Sequence, residues 1–302
     1  MAKVSILMNC YNSDKYLKEA IDSVINQTYQ NFEIIFWDNQ STDDSAKIVK
    51  SYDDERIKYF YAPRHTSLYE GRNCALEYCQ GEYLAFLDCD DLWMITKLEK
   101  QVDILENNKQ VVLVHTNTIF FNSDTNQEKI ANKKILPSGY IFNEIVSKYH
   151  FSLETVIVRR SIMIDNALYF GKDFNMIGDR DLLSMVCFYG EVYYIDEILG
   201  KWRIHSNNFS KVLHSTYPKE LKYMYLRFKK RFKKDFTKEM RVNIYNELVF
   251  RDALNMFEKS GVEVRKKLNK ISFFNFKGLI LRFISFMPMN MAFQTLQLLK
   301  RV

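Results

Sequence analysis

The sequence has little that would cross-link, span or punctuate it. Its 302 residues contain five cysteines, Cys10, Cys74, Cys79, Cys89 and Cys187. The number is odd and no two are spaced C-x-x-C, which argues against a disulfide framework or a zinc site and fits a reducing cytosol. The apolar stretch at the start runs only from Val4 to Met8. That predicts neither a signal peptide nor a membrane span. There are 4 prolines and 9 glycines, and no Pro/Gly-rich linker, internal repeat or low-complexity tract. A Gly-rich phosphate loop near the start and the pattern G-x-x-x-x-G-K-S/T are both missing, which disfavours P-loop NTPases.

The rest of the composition is that of an ordinary globular chain, 47% hydrophobic and 26% charged, with 23 Phe and 19 Tyr. Its net charge of +6 is unevenly spread. Residues 218–302 hold 20 Lys and Arg against 7 Asp and Glu, while residues 1–217 hold 23 against 30. The two parts therefore face different partners. The first half alternates strand and helix patterns. "VSILM", "FEIIFW" and "RIKYFYA" read as strands. "SDKYLKEAIDSVINQ" places Tyr16, Leu17, Ala20, Ile21, Val24 and Ile25 on one helical face, with Ser13 as its cap. Ser41 or Thr42 would cap the next helix, and Ser67 with Glu70 are spaced as a capping box for the third. Such alternation predicts an α/β fold with an open, mostly parallel sheet flanked by helices, which binds ligands beyond the carboxyl ends of its strands. A soft boundary near 215 separates it from a C-terminal helical extension.

One such end carries three acids. In "GEYLAFLDCDDLW" an apolar run stops abruptly at Asp88, Cys89, Asp90 and Asp91. Neighbouring carboxylates repel one another unless a cation or solvent compensates. Two readings stand on spacing alone: a solvated loop capping the next helix, or carboxylates holding a divalent cation together with substrate phosphates.

Four ordered motifs extend the pattern: "MNCYNSDKYLKEAIDSVINQT", Asp38-Asn39-Gln40-Ser41-Thr42-Asp43, Gly71-Arg72-Asn73, and Gly81 to Asp91. Together they resemble the inverting family-2 glycosyltransferases of bacterial glycan assembly, which have the GT-A fold. The resemblance implies a catalytic domain over 1–215, with a nucleotide-sugar half at 1–117 and an acceptor half at 118–215, and a basic amphipathic extension over 216–302. It implies that Asn9 to Tyr11 frame the nucleotide base, and that Asp38 and Asn39 meet the base or ribose. Asn39 stands where the family usually has a second Asp. Arg72 would lie near the base or phosphates, with Asp88 and Cys89 at the donor. Asp90 would coordinate Mn²⁺ or Mg²⁺, with Asp88 and His205 in the metal's surroundings. Asp91 could simply cap the following helix.

The family's acceptor-side base lies in an "ED" motif about 90 residues past the metal motif. Here "NMIGDRDLLSMV" lies at that distance, with Gly178 in place of the Glu. Asp179 is the implied base, and Asp181 the alternative or a helper. "WRIHSNNFS" resembles the family's R-x-H-x-x-x-x-S segment and brings in His205; Trp202 could form an acceptor platform or pack in the core. The implied activity is transfer of a hexose or N-acetylhexosamine from a nucleotide sugar, UDP foremost, to a glycan or polyprenyl-linked glycan.

The tail suggests a location. "KYMYLRFKKRFKK" sets Tyr225, Phe228 and Phe232 at helical spacing among seven Lys and Arg, and the uncharged run within 278–302 is too short to span a bilayer, being broken by Arg282 and Pro288. Basic and aromatic helices suit an anionic membrane surface. Packing on the catalytic half and a homodimer interface are the alternatives, and no nucleic-acid motif accompanies the charge. The expected site of action is the cytoplasm, including the inner face of its membrane. Two rivals remain: a nucleotidyltransferase on a related fold, and a membrane scaffold that has lost its chemistry.

Overall fold

The structure is a computed structural model that describes residues 2–206, 208 and 216–257, with positions 287, 291, 294 and 295. The rest of the stretch read over 278–302, and Ser210 of the R-x-H-x-x-x-x-S segment, lie outside the described residues. The chain divides into two compact units, one of residues 1–145 and 149–211, the other of 146–148 and 212–302.

The first unit opens with β1 (Val4–Cys10), α1 (Asp14–Ile25), β2 (Phe32–Asp38), α2 (Ser45–Lys50), β3 (Ile57–Tyr61), α3 (Leu68–Leu76) and β4 (Tyr83–Phe86). Then come β5 (Leu92–Trp93), α4 (Lys97–Asn107), β6 (Val111–Asn122), β7 (Gln127–Ile130), α5 (Phe142–Ser147), β8 (Ile157–Arg159), α6 (Arg160–Asp165), α7 (Gly178–Val186) and β9 (Glu191–Ile204). Among the described residues the strands form one sheet in the order β3-β2-β1-β4-β8-β6-β9-β5, with β7 beside β6. β1 to β4 are mutually parallel, as the alternation predicts. Beyond β4 the sheet is mixed: β8 runs antiparallel to β4 and β6, while β9 runs parallel to β6.

The parallel half follows from burial. β2 is enclosed along its whole length and β1 nearly so, as befits strands covered on both faces. The helical stripe of α1 places Leu17, Ala20, Ile21 and Val24 in the core with Ile6, Ile34 and Phe36. Tyr16 stays outside that core, because its hydroxyl reaches Ser123 Oγ at 3.0 Å. Ser13 and Ser67 occupy the N-cap positions of α1 and α3 without a side-chain capping bond, and Asp44, not Ser41 or Thr42, precedes α2. Ser13 Oγ donates to the Tyr11 carbonyl at 3.2 Å, Ser41 Oγ accepts the Asn12 N–H at 3.1 Å, and Glu70 pairs with Arg64. These side chains tie loops together instead of closing helix ends.

In the second unit, α8 (Tyr217–Phe232) and α9 (Lys238–Phe257) follow. Leu221, Met224, Phe228 and Phe232 of α8 are buried, and Phe236 packs against Phe228 and Tyr225. The aromatic stripe therefore turns inward, and Lys222, Lys229, Lys230 and Arg231 face outward. No helix among the described residues is long and apolar enough to cross a membrane.

Gly81 shows how tightly β1 and β4 are seated. A Cβ there would lie 2.5 Å from the backbone nitrogen of Ser5 and 2.8 Å from the Val4 carbonyl carbon. Backbone cannot yield as a side chain does, so Gly81→Ala is expected to destabilise the protein by about 1–3 kcal/mol. A lowered urea midpoint with an unchanged slope would record it.

Candidate active site

The ends of β1 and β2, in register at Cys10 and Asp38, are bound into one rim. Asn39 N–H donates to the Cys10 carbonyl at 2.8 Å, Thr42 N–H to Asn12 Oδ1 at 2.7 Å, and Asp14 N–H to Asp43 Oδ2 at 3.0 Å. Asn12 and Gln40 adopt φ of 48° and 68°, a left-handed conformation that Asn tolerates through local hydrogen bonds. Tyr11 stands half-exposed at this rim, its ring centroid 4.3 Å from that of His65. Asn9 lies below, with Nδ2 3.5 Å from the Leu68 carbonyl.

Asp38 and Asn39 point inward. Asp38 accepts from Ser41 N–H at 2.7 Å and from the Tyr59 hydroxyl at 2.6 Å. Asn39 Oδ1 accepts from Thr66 N–H and Thr66 Oγ1 at 3.1 and 2.9 Å, and its Nδ2 donates to the Thr66 carbonyl at 2.9 Å. Both groups hold the loops in shape and are fully buried.

The acid loop follows β4. Asp88 pairs with the buried guanidinium of Arg72, which lies 5.4 and 5.7 Å from the ring centroids of Tyr69 and Phe170. Cys89 turns into the core, its Sγ 3.6 Å from the Asn9 carbonyl. Asp90 Oδ2 meets His205 Nε2 at 2.9 Å. Asp91 is buried and accepts Arg203 N–H at 2.8 Å; it does not cap α4, which begins only at Lys97. Burial, reinforced by neighbouring acids, pushes the carboxyls of Asp90 and Asp91 above the usual carboxylate range. Arg203 holds the arrangement from β9: Nε donates to the Asp90 carbonyl at 2.8 Å, Nη2 to Glu19 at 2.7 Å, and the guanidinium lies 4.3 Å from the Tyr16 ring centroid.

This donor set fits a divalent cation shared with substrate. Among the described residues no three His, Cys, Asp or Glu side chains gather to hold a metal by themselves. Asp90 and His205 converge, and a cation between them would take its remaining ligands from phosphate and water, as Mg²⁺ and Mn²⁺ commonly do. Its charge would offset the repulsion among the acids.

On the other side, Asp179 sits half-buried in the first turn of α7. Its two oxygens accept from the hydroxyls of Tyr69 at 3.2 Å and Tyr149 at 3.1 Å. Burial raises its carboxyl above the usual range, while the Arg72 charge and the two phenols pull it back. Gly178 is required by this packing, since a Cβ there would lie 2.7 Å from the Tyr69 ring. Asp181 is fully enclosed, so Asp179 is the more accessible of the two. Trp202 packs edge-on against Phe120, with centroids 5.1 Å apart.

The sequence reading did not single out Tyr69, Tyr149, Arg203 or His65. Arg203 was visible as the Arg of "WRIH", and Tyr69 precedes Arg72 by one helical turn. Nothing local marked Tyr149.

The profile described as "Glycosyl transferase family 2" matches residues 5–166. The chain belongs to this family. That match spans the rim, the acid loop and Tyr149, and stops before Asp179 and His205. An uncharacterized glycosyltransferase of Haemophilus influenzae is 38% identical over 164 residues, 53% of this chain and 63% of that one. The Escherichia coli UDP-Glc:alpha-D-GlcNAc-diphosphoundecaprenol beta-1,3-glucosyltransferase WfgD is 31% identical over 160 residues, 53% of this chain and 61% of that one. The chain thus spans less than two thirds of the length of either relative. Among solved structures, S. aureus TarS 1–349 in complex with UDP-GlcNAc superposes with a TM-score of 0.64 at 17% identity, covering 96% of this chain and 81% of that one. Pyrobaculum calidifontis mannosyltransferase PcManGT, in complex with GDP-Man and Mn²⁺, gives 0.61 at 14% identity, covering 98% and 84%. The fold of this family-2 chain is accordingly GT-A.

Arg203→Met keeps the side chain's length and removes its hydrogen bonds to the Asp90 carbonyl and Glu19. Bonds to charged groups contribute about 1.5–3 kcal/mol each, so thermal unfolding should move down by several degrees. Hydrogen exchange should rise at the amides of residues 88–91.

Proposed function

We propose that the protein is a metal-dependent inverting glycosyltransferase, moving a hexose or N-acetylhexosamine from a UDP-sugar to a lipid-linked glycan. The observation that carries this is the meeting of Asp90 and His205 at 2.9 Å across 115 residues of sequence, on the same unit as a half-buried Asp179 held by two phenols. The E. coli relative's UDP-Glc donor and diphosphoundecaprenol-linked GlcNAc acceptor support the substrate classes. The UDP-GlcNAc complex of TarS and the Mn²⁺ complex of PcManGT support donor and metal.

In this reading residues 1–215 are the catalytic domain and 216–302 an appended one. Tyr11 lies against the base, and Asp88 with Arg72 faces the donor. Asp90 and His205 would hold Mn²⁺ or Mg²⁺, which supplies Lewis-acid neutralisation of the departing diphosphate. Asp179 takes the proton of the acceptor hydroxyl, whose oxygen attacks the anomeric carbon opposite the diphosphate. The face of attack gives inversion. Proton removal by a positioned carboxylate contributes about 10²–10⁴-fold. Tyr69 and Tyr149 fix the carboxylate's direction. A peripheral membrane contact would rest on the exposed lysines of α8, since the aromatic stripe is turned inward.

Asp90→Ala should abolish transfer with little loss of folding, and EDTA should do the same to the parent. Full activity in EDTA rejects the metal assignment. Asp179→Asn should suppress turnover while leaving nucleotide binding nearly intact. Release of pyrophosphate instead of a nucleoside diphosphate would point to nucleotidyl transfer.

The pH dependence has a definite sign. Asp179 works deprotonated, and burial raises its carboxyl, so activity should climb with pH through a value above the usual carboxylate range. Stability from the protonated form is complete at acid pH and falls as pH rises through the same value. Tyr149→Phe removes a bond to the charged form, so the acid limb of kcat/KM should move up by about one pH unit, with activity recovering at higher pH.

A further inference from the structure

At the rim around Tyr11, two acceptor atoms have no protein partner among the described residues: Asn9 Oδ1, which is buried, and Nε2 of His65, which stands on the exposed side of the rim. The two side chains expected to meet a base, Asp38 and Asn39, are committed to Ser41, Tyr59 and Thr66. Asn39 Oδ1 already accepts two hydrogen bonds, the full capacity of an amide oxygen. Asn39 cannot accept a nucleobase N–H without giving up the loop it holds, and Asp38, whose carboxylate has spare lone pairs, is fully enclosed beneath the rim.

His65 stands beside them on the exposed loop between β3 and α3. Its Nδ1 lies 2.9 Å from the Asn39 carbonyl oxygen. A carbonyl oxygen only accepts, so Nδ1 carries a proton. In the neutral ring Nε2 then presents a lone pair. No protein donor meets Nε2 among the described residues. The ring lies 4.3 Å from that of Tyr11, with planes inclined at 54°, so the acceptor sits at the edge of the aromatic surface on which a base would lie.

We infer that His65 reads the donor's nucleobase, its Nε2 accepting the ring N–H of a base seated on Tyr11. This rests on the nucleotide-sugar reading above and adds a rule of selection. Uracil offers N3–H and guanine N1–H, whereas cytosine N3 and adenine N1 carry lone pairs that would face the lone pair of His65. The Asn39 carbonyl fixes the tautomer, so the selection is built into the loop and does not wait for the ligand.

The experiment is calorimetric titration of the full chain with UDP, GDP and CDP in the presence of Mn²⁺. UDP or GDP should bind at least tenfold more tightly than CDP, and which of the two does so identifies the base. His65→Phe preserves ring packing on Tyr11 and removes Nε2. It should weaken the preferred nucleotide by about 3- to 10-fold, the effect of one hydrogen bond, while CDP affinity stays unchanged and the lost Nδ1 bond to the Asn39 carbonyl lowers thermal unfolding only slightly. His65→Gln, whose carbonyl can accept, should recover part of the preference. Equal weakening of all three nucleotides by His65→Phe would reduce His65 to a packing residue and overturn the inference. So would an unchanged preference. If the parent binds none of the three with Mn²⁺, the nucleotide-sugar reading itself falls and takes this one with it.

Discussion

The site depends on a two-residue strand. β5 is only Leu92 and Trp93, paired antiparallel with Lys201 and Gly200 of β9. The long pairing of β9 with β6 carries Arg203 to the end of the sheet, and β5 ties the acid loop to that strand from more than a hundred residues away. Gly200 lets Glu154 lie close against β9: a Cβ there would come to 3.3 Å from Glu154 Cγ, tighter than most packed side chains allow. Trp93 anchors the other side by donating its indole N–H to the Glu154 carbonyl at 2.7 Å.

The same pairing makes the buried charge tolerable. Asp91 is enclosed, yet its oxygen accepts a backbone N–H from Arg203 itself. The Arg203 guanidinium then bonds the neighbouring carbonyl, so one residue meets the loop through backbone and side chain together. Arg72 does the corresponding work for Asp88 from α3. Burying a carboxylate without such partners would cost several kcal/mol. Lys97, enclosed near Glu154 and 4.0 Å from the Trp93 ring centroid, is the converse case: burial holds its amine well below the ordinary range.

Legibility in the sequence tracked distance along the chain. The buried stripe of α1 and the parallel half of the sheet were readable from periodicity, because burial repeats every turn or every second residue. The acid loop was readable because its residues are consecutive. Ser67 stands at the N-cap of α3 as its spacing suggests, but the capping box does not close because Glu70 pairs with Arg64, and Ser41 is taken by the Asn12 N–H of a neighbouring loop. Asp38 and Asn39 stand where the motif puts them, but their partners Tyr59 and Thr66 come from another strand and loop, which no local pattern reports. Tyr149 reaches Asp179 across 30 residues and an intervening strand and helix, so only the folded chain reveals it.

Helix α3 sets the distance between Asp179 and Asp88. Tyr69 and Arg72 are three residues apart and so lie on one helical face. The first holds Asp179; the second holds Asp88. Gly71 between them lets the helix sit close on the end of β1, where a Cβ would come within 3.0 Å of Asn9 Oδ1. The spacing of Asp179 and Asp88 is therefore fixed by one turn of a seated helix and not by loops. That also accounts for Gly178. A Glu there would need the volume that the Tyr69 ring occupies, so the chain has a phenol bonded to its remaining carboxylate where a second carboxylate would otherwise stand. The exchange removes a negative charge from beside Asp179 and puts a hydrogen-bond donor in its place, which favours the ionised form of its carboxyl.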